Sequence, residues 1–416
     1  MLQANSMFSS WMRTLMLYQV FSLATCVAST AADWSQFLGP TRNGITPETG
    51  WLAEWPDEGP KVLWNASLGK GFSSFAVVGD RAYTMGSVDG KEILYCLNAG
   101  NGEEIWRHQY PAALRALYHE GGPCGTPSVA GNAVFTIGKE GRVCCLAAAN
   151  GEVRWERDLA KELEVEITGF GISCSPLVEG DKVIVDVGVM AALSVKDGSV
   201  LWKAPPAPKA FTSPVSFDLE GRRCGATLNG FGLWVFDLNT GEEGCRLRWE
   251  TFDDTNCTTP VIQGNRIFVS SGYDRGGTVL EVAWGKEPKV IWDNRNMRNH
   301  FNMSVLWKGY LFGFDGNVNR ENQGQLRCVS FDNGEVKWTE PSVAKGGLII
   351  SDGKIIALTD KGELVVAEAD PKGFRISSRA QVLGGLCWTS PVLAGGRIYC
   401  RNAEGEAVCL DVRRQP

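Results

Sequence analysis

Histidine is almost missing from this chain, with 3 in 416 residues. Histidine is the usual general acid–base near neutrality, so a site built on it is not expected. The chain has no Gly-x-Ser-x-Gly elbow, no His-Glu-x-x-His pair and no Gly-x-x-x-x-Gly-Lys phosphate loop, which removes the commonest hydrolase, metalloprotease and nucleotide signatures. None of the 13 cysteines falls in a Cys-x-x-Cys, so no haem attachment site is present. No apolar run reaches the ~20 residues that a membrane-spanning helix needs. Charge of one sign is not concentrated either. The 41 basic residues are scattered against 47 acidic ones for a net −6, which argues against a nucleic-acid footprint. Wholesale disorder is excluded by 44% hydrophobic and only 21% charged residues.

What is present begins with a leader. Arg13 is the one charged side chain before Asp33, an apolar run follows over 15–28, and Ala28-Ser-Thr-Ala-Ala32 supplies small residues. This pattern reads as an export signal over residues 1–32 and places the remainder in the periplasm or cell envelope. Gln19, Ser22 and Thr25 interrupt the run, so it does not span a membrane. Leu23-Ala24-Thr25-Cys26 resembles a bacterial lipobox, with Thr25 where Gly, Ala or Ser is usual. Cys26 is therefore the candidate lipid anchor. Exported chains normally pair their cysteines. Here the number is odd, and Cys96, Cys145 and Cys409 each precede Leu, as Cys328 precedes Val, late in expected strands. Buried cysteine packs as a small hydrophobe, so most are read as core thiols with one or two disulfides at most.

Repeats dominate the rest. A tight-turn glycine recurs at Gly79, Gly131, Gly180, Gly221, Gly264, Gly309, Gly353 and Gly395, at spacings of 41–52 residues. Ser/Thr-Pro precedes it at Pro127, Pro176, Pro214, Pro260 and Pro391. Asn/Asp-Gly-x-x-x-Trp follows it at Gly102/Trp106, Gly151/Trp155, Gly198/Trp202 and Gly334/Trp338, while Gly230/Trp234 is out of register. Alternation within the second unit gives strands over 127–130, 133–138, 142–147 and 152–157, with Asn150-Gly151 expected as a two-residue type I′ hairpin. Four antiparallel strands per unit, eight times over, make an all-β, eight-bladed β-propeller.

Trp64, Trp106, Trp155, Trp202, Trp249, Trp292 and Trp338 follow one another at 42–49 residues. Each is expected on the last strand of a blade, packed into the gap to the next. Burying ~200 Å² of indole at ~25 cal/mol/Å² contributes up to about 5 kcal/mol each. Trp64 precedes the first unit, whereas the last unit stops near Cys409-Leu-Asp-Val412 without a fourth strand. Residues 61–68 are therefore expected to complete the final blade and close the ring, removing two exposed sheet edges. The organisation that follows is a leader at 1–32, an N-terminal extension at 33–60, a propeller at 61–412 and a tail at 413–416, read as a monomer.

Blades of the form Ser-Pro-x-Val-x-Gly … Gly-x-x-x-Ala-Leu-Asp … Asn-Gly-x-x-x-Trp resemble the pyrroloquinoline-quinone (PQQ) type propeller repeat, over nearly all of the mature chain. Units five and seven are degenerate, with Ala283-Trp284-Gly285-Lys286 and Gly373-Phe374-Arg375 replacing the usual turn or tryptophan. The opening Asp33-Trp-Ser-Gln-Phe-Leu-Gly-Pro-Thr-Arg-Asn-Gly44 resembles exported planctomycete propellers of this type. The resemblance implies either a quinoprotein dehydrogenase, with PQQ and Ca²⁺ at the channel mouth, or a non-enzymatic scaffold like the lipoprotein of the outer-membrane protein assembly machine. The channel mouth is expected from the loops leading into the Ser/Thr-Pro strands. These carry His119, Glu120, Asp253, Asp254, Asn256, Arg298, His300, Asn302 and Trp388. Asp253 with Asp254 offers Ca²⁺ two of the six to eight oxygens it wants, but no calcium-loop spacing surrounds them. Adjacent Cys144-Cys145 lies in an ordinary strand register, so a redox role beside a cofactor is not expected. Cys124, Cys174, Cys257 and Cys387 each lie shortly before a Ser/Thr-Pro and could ring the mouth; small-residue packing at a crowded axis is the favoured reading, and a soft-metal or thiol-reactive arrangement the alternative. Residues 112–117 (Ala-Ala-Leu-Arg-Ala-Leu) are expected to form a short helix, the first candidate contact for a partner. The reading is an exported, non-enzymatic binding or scaffold propeller with no cofactor or metal, its envelope protein partner held by blade-connecting loops. The alternative is a PQQ- and calcium-dependent dehydrogenase of an alcohol or sugar.

Overall fold

The computed structural model describes residues 31–56, 58–207, 211–317 and 324–414, so most of the leader and Cys26 lie outside the described residues. Glycine-punctuated alternation produces eight blades of four antiparallel strands, one of them widened by a fifth, parallel strand. The second blade, Ser128–Ala130, Ala133–Ile137, Arg142–Ala147 and Val153–Asp158, follows the expected strands to within a residue or two. Helix is confined to two short turns, Leu159–Glu162 and Phe252–Asp254, among the described residues. Lys61–Ser67 pairs antiparallel with Glu406–Asp411, the last strand of the chain. The final blade is thus completed by the N-terminal strand and the ring is closed.

Two repeat signatures acquire a physical cause. The Ser/Thr hydroxyls ahead of the inner strands of blades 2, 3 and 4 tie blade to blade. The Thr126 Oγ1 accepts from Ser74 N at 3.1 Å, Ser175 Oγ from Thr126 N at 3.0 Å and Ser213 Oγ from Ser175 N at 2.8 Å. These bonds satisfy amides that would otherwise be buried unpaired. The tryptophans do the same on the outer strands. Trp64, Trp106, Trp155, Trp202 and Trp292 each lay the indole on a turn glycine of the following blade, Gly102, Gly151, Gly198, Gly241 and Gly334. Each indole N–H donates to a carbonyl of that turn, as from Trp155 to Val195 O at 2.9 Å and from Trp292 to Phe331 O at 2.8 Å.

The expected hairpin at Asn150-Gly151 is a correction. The loop holds four residues, with Ala147 N bonded to Glu152 O and Gly151 N to Ala147 O. Only Gly151 takes a positive φ, 74°, whereas a type I′ turn needs it at both central residues. Trp249 packs between blades 4 and 5 as expected, but it stands one residue past the strand Glu243–Arg248 and donates to Ser271 Oγ at 3.0 Å, where the other indoles take a turn carbonyl. At that junction the pairing is reversed: Trp284, on the turn of blade 5, packs on Gly244 of blade 4. The expected helix over 112–117 is absent. Arg115 and Tyr118 adopt positive φ, and Gly122 N bonds Leu114 O across the loop, which a helix would forbid.

The extension does something the sequence did not announce: it fills the channel. Trp34 bridges Val77 in blade 1, and Ser35 O accepts from Val129 N in blade 2. Arg42 reaches Ser128 Oγ of blade 2, Pro176 O of blade 3 and Pro214 O of blade 4. Gly44 lies on Val305 of blade 6, and Ile45–Thr46 adds a parallel strand to Gly346–Ser351 of blade 7. The Glu48 carboxylate caps the Gly395 and Gly396 amides of blade 8 and also accepts from Ala32 N at 2.9 Å. One segment therefore contacts the inner strands or turns of seven of the eight blades, which holds it against the channel side of the ring.

Candidate functional site

Opposite the turn glycines, the long loops leading into the inner strands form the channel mouth. Aromatic rings from these loops touch in one arc. Phe211 meets Phe170 at 5.8 Å, Phe170 meets His119 at 6.0 Å, and His119 meets Phe72 at 5.5 Å between centroids. Phe72 stacks on Trp388 at 5.5 Å, Trp388 meets Phe301 at 5.0 Å, and Phe301 stacks on His300 at 4.0 Å. Tyr273 and Phe252 continue it at 4.7 and 6.0 Å. Contacts at these separations stabilise by roughly 0.5–1.5 kcal/mol each beyond area burial. Tyr118, 91% exposed, lies on Phe170, and Phe252 is 76% exposed. These are the two most exposed large hydrophobic side chains among the described residues.

Of the expected mouth residues, His119, His300 and Trp388 join this arc. His119 Nδ1 accepts from Gly121 N at 2.9 Å. Desolvation, then the nearby Lys139 charge, lowers its pKa to about 4. The others serve the loops themselves. Asn256 is buried, with its amide donating to Asn229 O at 2.9 Å and its Oδ1 accepting from Ser271 Oγ at 2.7 Å. Arg298 clasps Asp315 and Asp274 at 2.7 and 3.1 Å, and Asp254 takes Arg248 at 2.8 Å. Asp253 stands exposed on the same turn. Glu120 Oε2 and Asn302 Nδ2 are buried without hydrogen-bond partners among the described residues.

The oxygens of Asn256, Asp254, Asp274 and Asp315 are thus spent on protein partners, and Glu120 and Asp253 join no cluster of three His, Cys, Asp or Glu ligand atoms among the described residues, so the donor set does not fit a quinone-bound Ca²⁺. The four mouth cysteines do not converge. Cys124 accepts from buried Lys139 Nζ at 3.1 Å, while burial raises the Cys174 and Cys387 thiols to about 12. All twelve described cysteines are free thiols, and Cys144 and Cys145 face opposite sides of their strand, into different core clusters. The phenylalanines of the arc were missed in the sequence. Their one signal is an aromatic ahead of several inner strands, but Phe211 and Trp388 stand three residues before the proline, Phe170 six and Phe252 eight. No period marks them.

A closed ring of eight such blades, with a filled axis and a loop-built mouth, defines a propeller of the PQQ-like repeat class. The family model described as outer membrane protein assembly factor BamB matches residues 90–340, and the chain belongs to that family. Outer membrane protein assembly factor BamB of Shewanella oneidensis is 23% identical over 382 residues, 83% of this chain and 88% of its own. That of Burkholderia pseudomallei is 26% identical over 355 residues, 72% and 86% of the two chains. Among solved structures, BamB from Moraxella catarrhalis superposes with a TM-score of 0.62 at 17% identity, covering 85% of this chain and 100% of that one. Quinohemoprotein alcohol dehydrogenase from Comamonas testosteroni reaches 0.65 at 13%, covering 92% and 81%. At these identities the two structures share the fold with this chain and no more.

Proposed function

We propose that this protein is an exported, non-catalytic scaffold of the cell envelope that docks a protein partner on its channel mouth. The observation that carries the reading is the aromatic arc with its exposed outliers Tyr118 and Phe252. Exposed aromatics on a rigid loop platform are the usual anchors of a protein interface. The leader pattern supports export, and membership of a family described by outer-membrane assembly supports an envelope partner. The axis occupied by Arg42 and its neighbours favours surface docking over ligand capture within the channel.

Photo-reactive residues at Phe170 and Trp388, with a control at exposed Asn132 on the opposite face, test this in the native envelope. The expected result is a discrete protein adduct from the two mouth positions and none from Asn132. Adducts from Asn132 alone would move the interface to the other face. One-to-one micromolar binding of PQQ with Ca²⁺ to the purified protein would overturn the non-catalytic reading.

A further inference from the structure

One junction differs from the others. On the outer strand of blade 1, Glu104–Pro111, the residues Trp106, His108 and Tyr110 share the face turned to blade 2. Blade 2 answers with Cys144 and, directly across the strand pair from it, Glu156. The His108 Nε2 lies 3.5 Å from Glu156 Oε2 and forms no hydrogen bond. The Cys144 Sγ lies 3.8 Å from the same oxygen. All three ligand atoms fall within 4.8 Å of one another, and no other three His, Cys, Asp or Glu residues converge so among the described residues. The second carboxylate oxygen, Oε1, is held by Arg142, which aims Oε2 at the other two groups. Two residues after the docking tryptophan, where blade 1 has His108, other blades have Ala66, Arg157, Ala204, Asn294 and Glu340. The trio is therefore not a product of the repeat.

We infer that His108, Cys144 and Glu156 form a site for a borderline-soft divalent cation of the zinc type, bridging blades 1 and 2. Imidazole, thiolate and carboxylate are the ligand types such an ion takes, with bonds of about 2.0–2.3 Å that put ligands roughly 3.3–3.6 Å apart in a tetrahedron. Two of the three edges, at 3.5 and 3.8 Å, already approach that spacing, so closure needs only a small shift of the third. Binding forms three metal–ligand bonds and breaks the Cys144 S–H bond, with the proton released to solvent. Glu156 is partly exposed, which leaves the fourth position to water. Arg142 acts as a positioning residue through its ion pair with Glu156.

The test is titration of the purified, reduced, chelator-treated protein with Co²⁺ and then Zn²⁺. The expected outcome is one equivalent of Co²⁺ showing a thiolate-to-cobalt charge-transfer band, displaced by Zn²⁺, with Zn²⁺ raising Tm. Cys144→Ser should abolish the band, and His108→Ala should weaken binding at least tenfold. Cys145→Ser, which alters the neighbouring thiol on the other face, should leave both unchanged. Absence of the band in folded wild-type protein overturns the site, as does a band that survives in both Cys144→Ser and His108→Ala. Should Cys144→Ser not fold, the exposed-side variants His108→Ala and Glu156→Gln decide alone.

Discussion

A tryptophan set on a glycine is the unit from which this ring is assembled. Gly151 needs its φ of 74° for the turn, and a Cβ there would lie 2.5 Å from the Trp106 indole. Conformation and packing thus require glycine independently. Trp106→Ala should cost about 3–5 kcal/mol by opening a cavity between blades 1 and 2, and Gly151→Ala should cost more than about 1 kcal/mol. Denaturant midpoints measure both, and a Gly151→Ala variant as stable as wild type would show that the indole packs elsewhere. A second residue-scale prediction concerns Asp186, 2% exposed at the end of the second strand of blade 3. Burial raises its pKa to about 6 against the backbone bond from Gly188. The folded state then holds a proton that the unfolded chain has released, so this group lowers stability as pH rises from ~4 to ~6, by an amount on the order of 3 kcal/mol. Asp186→Asn should therefore be the more stable protein at pH 7 and no more stable near pH 3.5. A gain of equal size at both pH values would assign the effect to something other than ionisation. His119 works in the opposite sense. Its lowered pKa of about 4 contributes stability above pH ~6.5 that is lost as pH falls through that window.

The N-terminal extension is the element whose role composition concealed. Its anchor, Arg42, is 5% exposed and donates to carbonyl and hydroxyl oxygens of three blades, and desolvation lowers its pKa to about 10. A guanidinium has the fork of donors that reaches several carbonyls at once, which an ammonium does not. Removal of residues 1–60 should leave the closing strand Lys61–Ser67 in place, giving a folded propeller with an emptied axis and a lower Tm. Arg42→Lys should show part of that loss. Unchanged thermal unfolding of the truncated protein would mean that the segment covers the channel without stabilising it. Asp33-Trp34 and Arg42 were visible as part of one N-terminal motif, but nothing in their spacing placed them against a ring whose contacting residues run from Val77 to Pro214.

At the scale of the whole molecule, closure decides cooperativity. The pairing of Lys61–Ser67 with Glu406–Asp411 joins the two ends of the chain, and Trp64 docks on Gly102 across the same seam. Deletion through Gly69 should expose two sheet edges and cause aggregation or a broadened, multi-step unfolding transition, read by light scattering and calorimetry. A soluble variant with one sharp transition would show that the ring is held by blade packing without the seam.

The repeat period, the number of blades, the closing strand and the docking of Trp64, Trp106, Trp155, Trp202 and Trp292 were determined by the sequence alone, because each rests on a local pattern of turns and alternation that recurs in register. The exchange of Trp249 for Trp284, the longer turn at Gly151, the filled axis and the aromatic arc were decided only by the tertiary structure. His108 meets Cys144 and Glu156, and Phe72 meets Trp388, only because blades stack side by side and the ring brings distant loops to one mouth. The physical reason is common to all of these. Strand and turn preferences act between near neighbours in the chain, whereas a site is set by distances that exist only after the ring has closed.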